Sequence, residues 1–267
     1  MSEKPVPPLP HFQAYLFDLD GTVYLGEQVI PGAPAAIARL RARGAGVMYI
    51  TNKPLYPPDE YAAKLTRLGL PTTPAEVITS ANVLGDVIAA ECAGARVLVI
   101  GEEPVRAEVA RAGALLVEDW HEAQVLVASW DRELTYAKLD AALQALLHGA
   151  VYLATNPDAL CPVGKDEFVP DCGALLAALA AMTGREPDVM AGKPGPRLPL
   201  AALARLGVAP ADAALVGDRL STDITCGNRA GMGTIAVLTG EATAASIAAA
   251  TGEARPDYVV GSVAELA

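Results

Sequence analysis

The run Tyr15-Leu16-Phe17-Asp18-Leu19-Asp20-Gly21-Thr22-Val23 sets two aspartates directly behind a short apolar segment. Tyr15 to Phe17 reads as the end of a buried parallel strand, because a short apolar run bounded by turn residues suits a strand covered on both faces. Ligands of open α/β sheets bind beyond the carboxyl ends of the strands, which stands Asp18 and Asp20 at the mouth of a site. A carboxylate pair there can bind a hard cation, attack an electrophile or move a proton. The plainer reading is a strand followed by an Asp-Gly turn, and that dipeptide alone carries no chemistry. Matching residues downstream decide between the two.

Working outward, the whole chain suits helices packed on a parallel sheet. Its 267 residues allow one large domain or two modest ones, and with 52% apolar but only 5% aromatic residues the core rests on Ala, Leu and Val. The net charge of −11 and pI near 4.7 argue against a nucleic-acid or membrane-surface binder. An anionic substrate stays open, since local charge and a bound metal decide that. Cys92, Cys161, Cys172 and Cys226 form no Cys-x-x-Cys pair and read as small buried hydrophobes of a reducing compartment. Residues 1–10, Pro-rich and without an apolar core, read as a flexible tail. The longest apolar stretch, Ala174 to Met182, is too short to span a bilayer, and the expected location is cytoplasmic.

Strand and helix signals alternate along the chain. A helix over Ala35 to Arg43 stops at Gly44, Val47 to Ile50 is a strand ending on Thr51-Asn52-Lys53-Pro54, and a helix from Asp59 closes at Gly69 before a strand at Val77 to Thr79. Strands follow at Val97 to Ile100, Val125 to Ala128 and Val151 to Leu153, then the loop Ala154-Thr155-Asn156-Pro157-Asp158 and an Ala-rich helix from Gly173 to Met182. Gly184-Arg185-Glu186-Pro187 reads as a linker. Beyond it, Lys193 precedes a helix, and the strand Ala213 to Val216 ends on Gly217-Asp218 with Asp223 soon after. Strands at Thr234 to Leu238 and Tyr258 to Val260 complete the pattern. This rhythm predicts a doubly wound, Rossmann-like parallel sheet with an inserted α/β domain. The predicted boundaries are a core of residues 11–81 plus 188–267 and an insertion of 82–187.

Asp18/Asp20, Thr51/Asn52, Lys193 and Asp218/Asp223 therefore fall at strand ends or before a helix. In one parallel sheet such ends share an edge, so distant residues can converge. Each has a bland reading: Asp218 and Asp223 as helix caps, Lys193 as a solvated lysine, Thr51-Asn52 as a turn. Together they supply carboxylates, a hydroxyl and a cation, a set that suits Mg²⁺ and a phosphate better than zinc.

In that order, Asp18-Leu19-Asp20-Gly21-Thr22, Thr51, Lys193 and Gly217-Asp218 with Asp223 resemble the motif set of haloacid-dehalogenase-superfamily phosphatases. The large insertion carrying Ala154 to Asp158 resembles the NagD-like and 4-nitrophenylphosphatase-like subclass, and the likeness covers about Tyr15 to Val260. The resemblance implies a Mg²⁺-dependent phosphomonoesterase acting on sugar phosphates, nucleotides or phosphoglycolate. It implies that Asp18 attacks phosphorus to form an aspartyl-phosphate and that Asp20 first protonates the leaving oxygen, then deprotonates water. Mg²⁺ is then held by Asp18, the Asp20 carbonyl and Asp218, with Asp223 supporting its waters or Lys193. Thr51, the Asn52 N–H and Lys193 hold the phosphate.

By the same resemblance the insertion is a mobile cap that excludes water, Asn156 and Asp158 line it, and the chain forms a homodimer through it. Read as residues alone, Asn156 and Asp158 are equally a turn cap. Lys53-Pro54 departs from the usual second Asn and small hydroxyl residue; Lys53 either adds a cation near the substrate or snorkels to solvent. Two other functions stay open: a phosphotransferase or mutase using the same intermediate, and a non-catalytic regulator that binds a phosphorylated metabolite.

Overall fold

The computed structural model describes residues 9–164 and 167–266, so most of the expected tail lies outside it. The chain divides into two compact units. The first takes the described residues up to Ile50, Tyr61–Val77 and those from Pro199 onward; the second takes Thr51–Glu60 and Ile78–Leu198.

The first unit is built on a sheet whose strands run in the order Tyr258–Val260, Gly233–Val237, Ala213–Gly217, Ala14–Phe17, Gly46–Thr51 and Val77–Thr79. The chain's first strand is thus central, parallel to Ala213–Gly217 on one side and Gly46–Thr51 on the other. All four of its residues are buried, as expected for a strand covered on both faces. Phe17 pairs with Val216, which brings the residues after both strands to the same sheet edge. The helix Ala33–Ala42 lays Ala36, Ile37 and Leu40 into the core that also holds Phe17, Tyr49 and Leu65. Its start at Ala33, earlier than expected, reflects Pro34, whose fixed φ suits a first turn.

A second parallel sheet organises the other unit, in the order Val189–Met190, Val151–Ala154, Val125–Ala128, Arg96–Ile100 and Leu115–Val117. Val189–Met190 pairs with Leu153 and Ala154, so the segment after the Gly184 turn contributes to this sheet. The helices Tyr136–Leu147 and Cys172–Thr183 pack Leu146, Leu175 and Leu179 against Leu126 and Tyr152. An antiparallel hairpin of Leu160–Gly164 and Glu167–Pro170 follows the loop Ala154 to Asp158, in a stretch to which the sequence pattern assigns no element. Parallel sheets with flanking helices make this the expected α/β fold. No described helix is long and apolar enough to cross a membrane.

Candidate active site

Strand register assembles the first group of site residues. The Asp18 N–H donates to the Val216 carbonyl at 2.9 Å, which sets Asp18 level with the turn after Ala213–Gly217, where Asp218 stands. Asp223 comes back to the same place through the helical turn Leu220–Ile224. Asp18, Asp218 and Asp223 are buried, at 8%, 3% and 1% exposure, and one carboxylate oxygen from each lies within 4.8 Å of the others.

The surroundings fix this trio closely. Asp218 Oδ1 accepts from Thr22 Oγ1 at 3.4 Å and its Oδ2 from the Glu241 N–H at 2.8 Å. Asp223 Oδ2 accepts from the Arg219 N–H at 3.0 Å, partly the capping role its sequence suggests. A Cβ at Gly240 would stand 1.9 Å from Asp218 Oδ2, and one at Gly217 would stand 2.2 Å from Asp223 Cβ. Both glycines are therefore required by close approach rather than by turn geometry. Thr22 belongs to the motif read in the sequence, whereas Gly240 and Glu241 escaped sequence reasoning although they follow a strand end as the other clusters do.

Three buried carboxylates so close repel one another by about 3 kcal/mol or more per pair at an effective dielectric of 20. An all-oxygen, carboxylate-rich set is what Mg²⁺ takes, and a bound cation offsets that repulsion. The residues present thus fit a hard divalent ion. Among the described residues the Asp20 side chain is not part of this carboxylate group. Asp20 is half-buried at an isolated bridge to Tyr24, in a turn tied by the Gly21 N–H to the Tyr24 carbonyl. Thr239 Oγ1 donates to the Gly21 carbonyl at 2.6 Å and fixes the same turn.

The second unit gathers the other expected residues. Thr51 is the last residue of its strand, is buried, and accepts the Lys53 N–H on Oγ1 at 3.1 Å. Asn52 is clamped to Lys193: its Oδ1 accepts the Lys193 N–H at 2.7 Å and its Nδ2 donates to the Lys193 carbonyl at 3.0 Å. The same Nδ2 donates to Asp158 Oδ2 at 2.8 Å, and Ser80 Oγ donates to the Asn52 carbonyl at 2.6 Å. Lys193 is only 3% exposed, which rules out the solvated-lysine reading. Gly192 permits the clamp, since a Cβ there would stand 2.5 Å from Asn52 Oδ1.

Asn156 and Asp158 belong to the same network. Asn156 Nδ2 donates to Asp158 Oδ2 at 3.2 Å and to Asp171 Oδ1 at 3.0 Å. Asn156 Oδ1 accepts from Thr155 Oγ1 at 2.9 Å. Burial, with a smaller push from the Asp158 charge, drives the Asp171 carboxyl up to about 6, against hydrogen bonds from Asn156 and the Cys172 N–H and the nearby Lys53 charge. Asp171 was missed as a site residue because before Cys172–Thr183 it looks only like the helix N-cap that it also is.

A family model described as haloacid dehalogenase-like hydrolase matches residues 15–114, and a HAD-hydrolase-like model matches 190–266. An acid sugar phosphatase of Staphylococcus aureus is 36% identical over 232 residues, 87% of this chain and 88% of the relative. The chain belongs to the haloacid dehalogenase superfamily. Within it, the neighbours are of the NagD-like subclass. The solved 4-nitrophenylphosphatase of Thermotoga maritima superposes with a TM-score of 0.89 at 32% identity, over 96% of each chain. A glycerol phosphate phosphatase of Mycobacterium tuberculosis, solved in complex with magnesium, gives a TM-score of 0.89 at 35% identity, over 96% of this chain and 76% of that one. The protein is a phosphatase of the haloacid dehalogenase type, acting on phosphorylated substrates.

Proposed function

We propose that the protein is a Mg²⁺-dependent phosphomonoesterase for small phosphorylated metabolites of the sugar phosphate, nucleotide or phosphoglycolate type. The observation that carries this reading is the buried trio Asp18, Asp218 and Asp223, whose oxygens lie within 4.8 Å of one another. Asp18, Asp218 and Asp223, with the Asp20 carbonyl, would hold Mg²⁺, which when bound neutralises charge on the phosphoryl oxygens. The magnesium complex of the glycerol phosphate phosphatase supports that choice of ion.

Asp18 attacks phosphorus through a carboxylate oxygen, the P–O bond to the leaving alcohol breaks, and an aspartyl-phosphate forms. Asp20, half-buried and outside the carboxylate group, gives the leaving oxygen its proton and later takes one from the attacking water. Separation from the trio fits a carboxyl that must exchange protons rather than hold a metal. Thr51, the Asn52 N–H and Lys193 grip the phosphate; the clamp between Asn52 and the Lys193 backbone fixes Lys193 for that task. Lys53 adds charge near the substrate, and Asn156 and Asp158 hold the Asn52 side chain and line the substrate region.

Residues 11–81 plus 188–267 serve as the catalytic core and residues 82–187 as a cap, in a homodimer formed through the cap. The partners are a small phosphorylated metabolite and neither nucleic acid nor membrane, in keeping with the net charge of −11. The test is phosphate release from a panel of metabolite phosphates, with Mg²⁺ and with a chelator. Release that needs Mg²⁺ and is lost in Asp18→Asn supports the reading; release that survives either change overturns it.

A further inference from the structure

Asp20 is half-buried in a turn that folds back on itself. The N–H groups of Thr22, Val23 and Tyr24 all donate to the Leu19 carbonyl, at 3.3, 2.9 and 3.2 Å, and the Gly21 N–H donates to the Tyr24 carbonyl at 2.8 Å. These bonds shape the turn from within. Its placement against Asp218 depends on contacts from elsewhere in the chain.

One such contact comes from Thr239, just past the strand Gly233–Val237, whose Oγ1 donates to the Gly21 carbonyl at 2.6 Å. Gly21 is thus held on both sides, its N–H by Tyr24 and its carbonyl by Thr239. It takes φ +81° and packs so closely that a Cβ there would stand 2.4 Å from Asp218 Oδ2. Asp20 is the residue before it, so a Gly21 fixed on both sides fixes the backbone from which the Asp20 carboxyl projects.

The segment that carries Thr239 is anchored without that hydroxyl. The Glu241 N–H donates to Asp218 Oδ2 and the Ala242 N–H to the Asp218 carbonyl, both at 2.8 Å, and Arg219 Nε pairs with Glu241 Oε2 at 3.1 Å. One short segment therefore has two separable contacts: Thr239 reaches the Asp20 turn, while Glu241 and Ala242 hold Asp218. All of these residues belong to the first unit.

We propose that Thr239 is a positioning residue for Asp20, its bond to the Gly21 carbonyl holding the Asp20 carboxyl at the leaving oxygen. The inference rests on the phosphomonoesterase reading, in which Asp20 protonates that oxygen, and adds a residue to it. Proton transfer to a departing group falls steeply when the acid is misplaced, whereas a leaving group that departs as a stable anion does not need the acid. Loss of the Thr239 hydroxyl is therefore felt through the leaving group and not through the metal.

Benzyl phosphate and 4-nitrophenyl phosphate separate these effects, being similar in size while only the benzyl alkoxide needs a proton to depart. With Mg²⁺, Thr239→Val should cut kcat/KM for benzyl phosphate by about 10-fold and change that for 4-nitrophenyl phosphate by less than about 2-fold. Thr239→Ser keeps the hydroxyl and should restore benzyl phosphate turnover. In Asp20→Asn, where the acid is already gone, adding Thr239→Val should widen the gap between the two esters no further. Calorimetric titration with Mg²⁺ reads the metal site without turnover and should give the same Kd for wild type and Thr239→Val. An equal fall on both esters, no fall on either, a weakened Mg²⁺ Kd or a further selective loss in Asp20→Asn overturns the proposal. Should Asp20→Asn by itself lower both esters alike, the acid role of Asp20 fails instead, and the positioning role falls with it.

Discussion

Replacing Asp171 by Asn should make the protein more stable, and increasingly so as the pH rises. The carboxyl is buried and its pKa is raised from 3.8 to about 6, so its ionised form is penalised in the fold. A group with a raised carboxyl pKa costs nothing below pH 3.8, where it is protonated in both states, and its full cost is present above pH 6. That cost is about 3 kcal/mol at pH 8 and roughly half of it at pH 5. Asn carries no charge, and its Oδ1 can accept the same two bonds from Asn156 and the Cys172 N–H, keeping the helix cap. Urea unfolding of wild type and Asp171→Asn at pH 8, 7, 6 and 5 measures the difference directly. The expected result is a gap near 3 kcal/mol at pH 8 that narrows with acid. A variant less stable at pH 8, or a gap independent of pH, would refute the reasoning.

Asn52→Ala removes both bonds to the Lys193 backbone and one to Asp158, and should cost about 2–4 kcal/mol by urea unfolding while raising KM for any phosphate ester. Gly240→Ala drives a methyl into Asp218 Oδ2 and should weaken Mg²⁺ by roughly 10–100-fold in a Mg²⁺ titration of activity. Saturating Mg²⁺ should stabilise the wild type by about 2.7 kcal/mol at a hundredfold excess over its Kd. Asp218→Asn, which relieves repulsion in the buried trio, should be more stable than wild type without the metal and gain little from adding it.

Much of the fold is legible because its strands are buried on both faces and read as apolar runs: Ala14–Phe17, Val125–Ala128 and Ala213–Gly217 stand where the sequence predicts them. The Cys172–Thr183 helix agrees to within a residue at each end with the one read over Gly173 to Met182. What stays hidden has little apolar signal. The hairpin of Leu160–Gly164 and Glu167–Pro170 is largely exposed and interrupted by prolines, so nothing in it alternates cleanly. At the site, Asp18, Asp218 and Asp223 could be read from strand ends because register in a parallel sheet fixes which ends share an edge. The clamp of Asn52 on the Lys193 backbone could not, since it depends on a side chain reaching across loops from residues 141 apart. Asp171 was masked by its second role as a helix cap.

The central claim is that Asp18 carries the phosphoryl group between two displacements. The decisive measurement is acid quenching of Asp20→Asn during turnover of radiolabelled 4-nitrophenyl phosphate with Mg²⁺. Its leaving group needs no proton, so the first step survives while water activation in the second is impaired. The account predicts hydroxylamine-labile label accumulating on the peptide that contains Asp18, and none when Asp18→Asn is added. Release of 4-nitrophenol with no label retained on that peptide would contradict it.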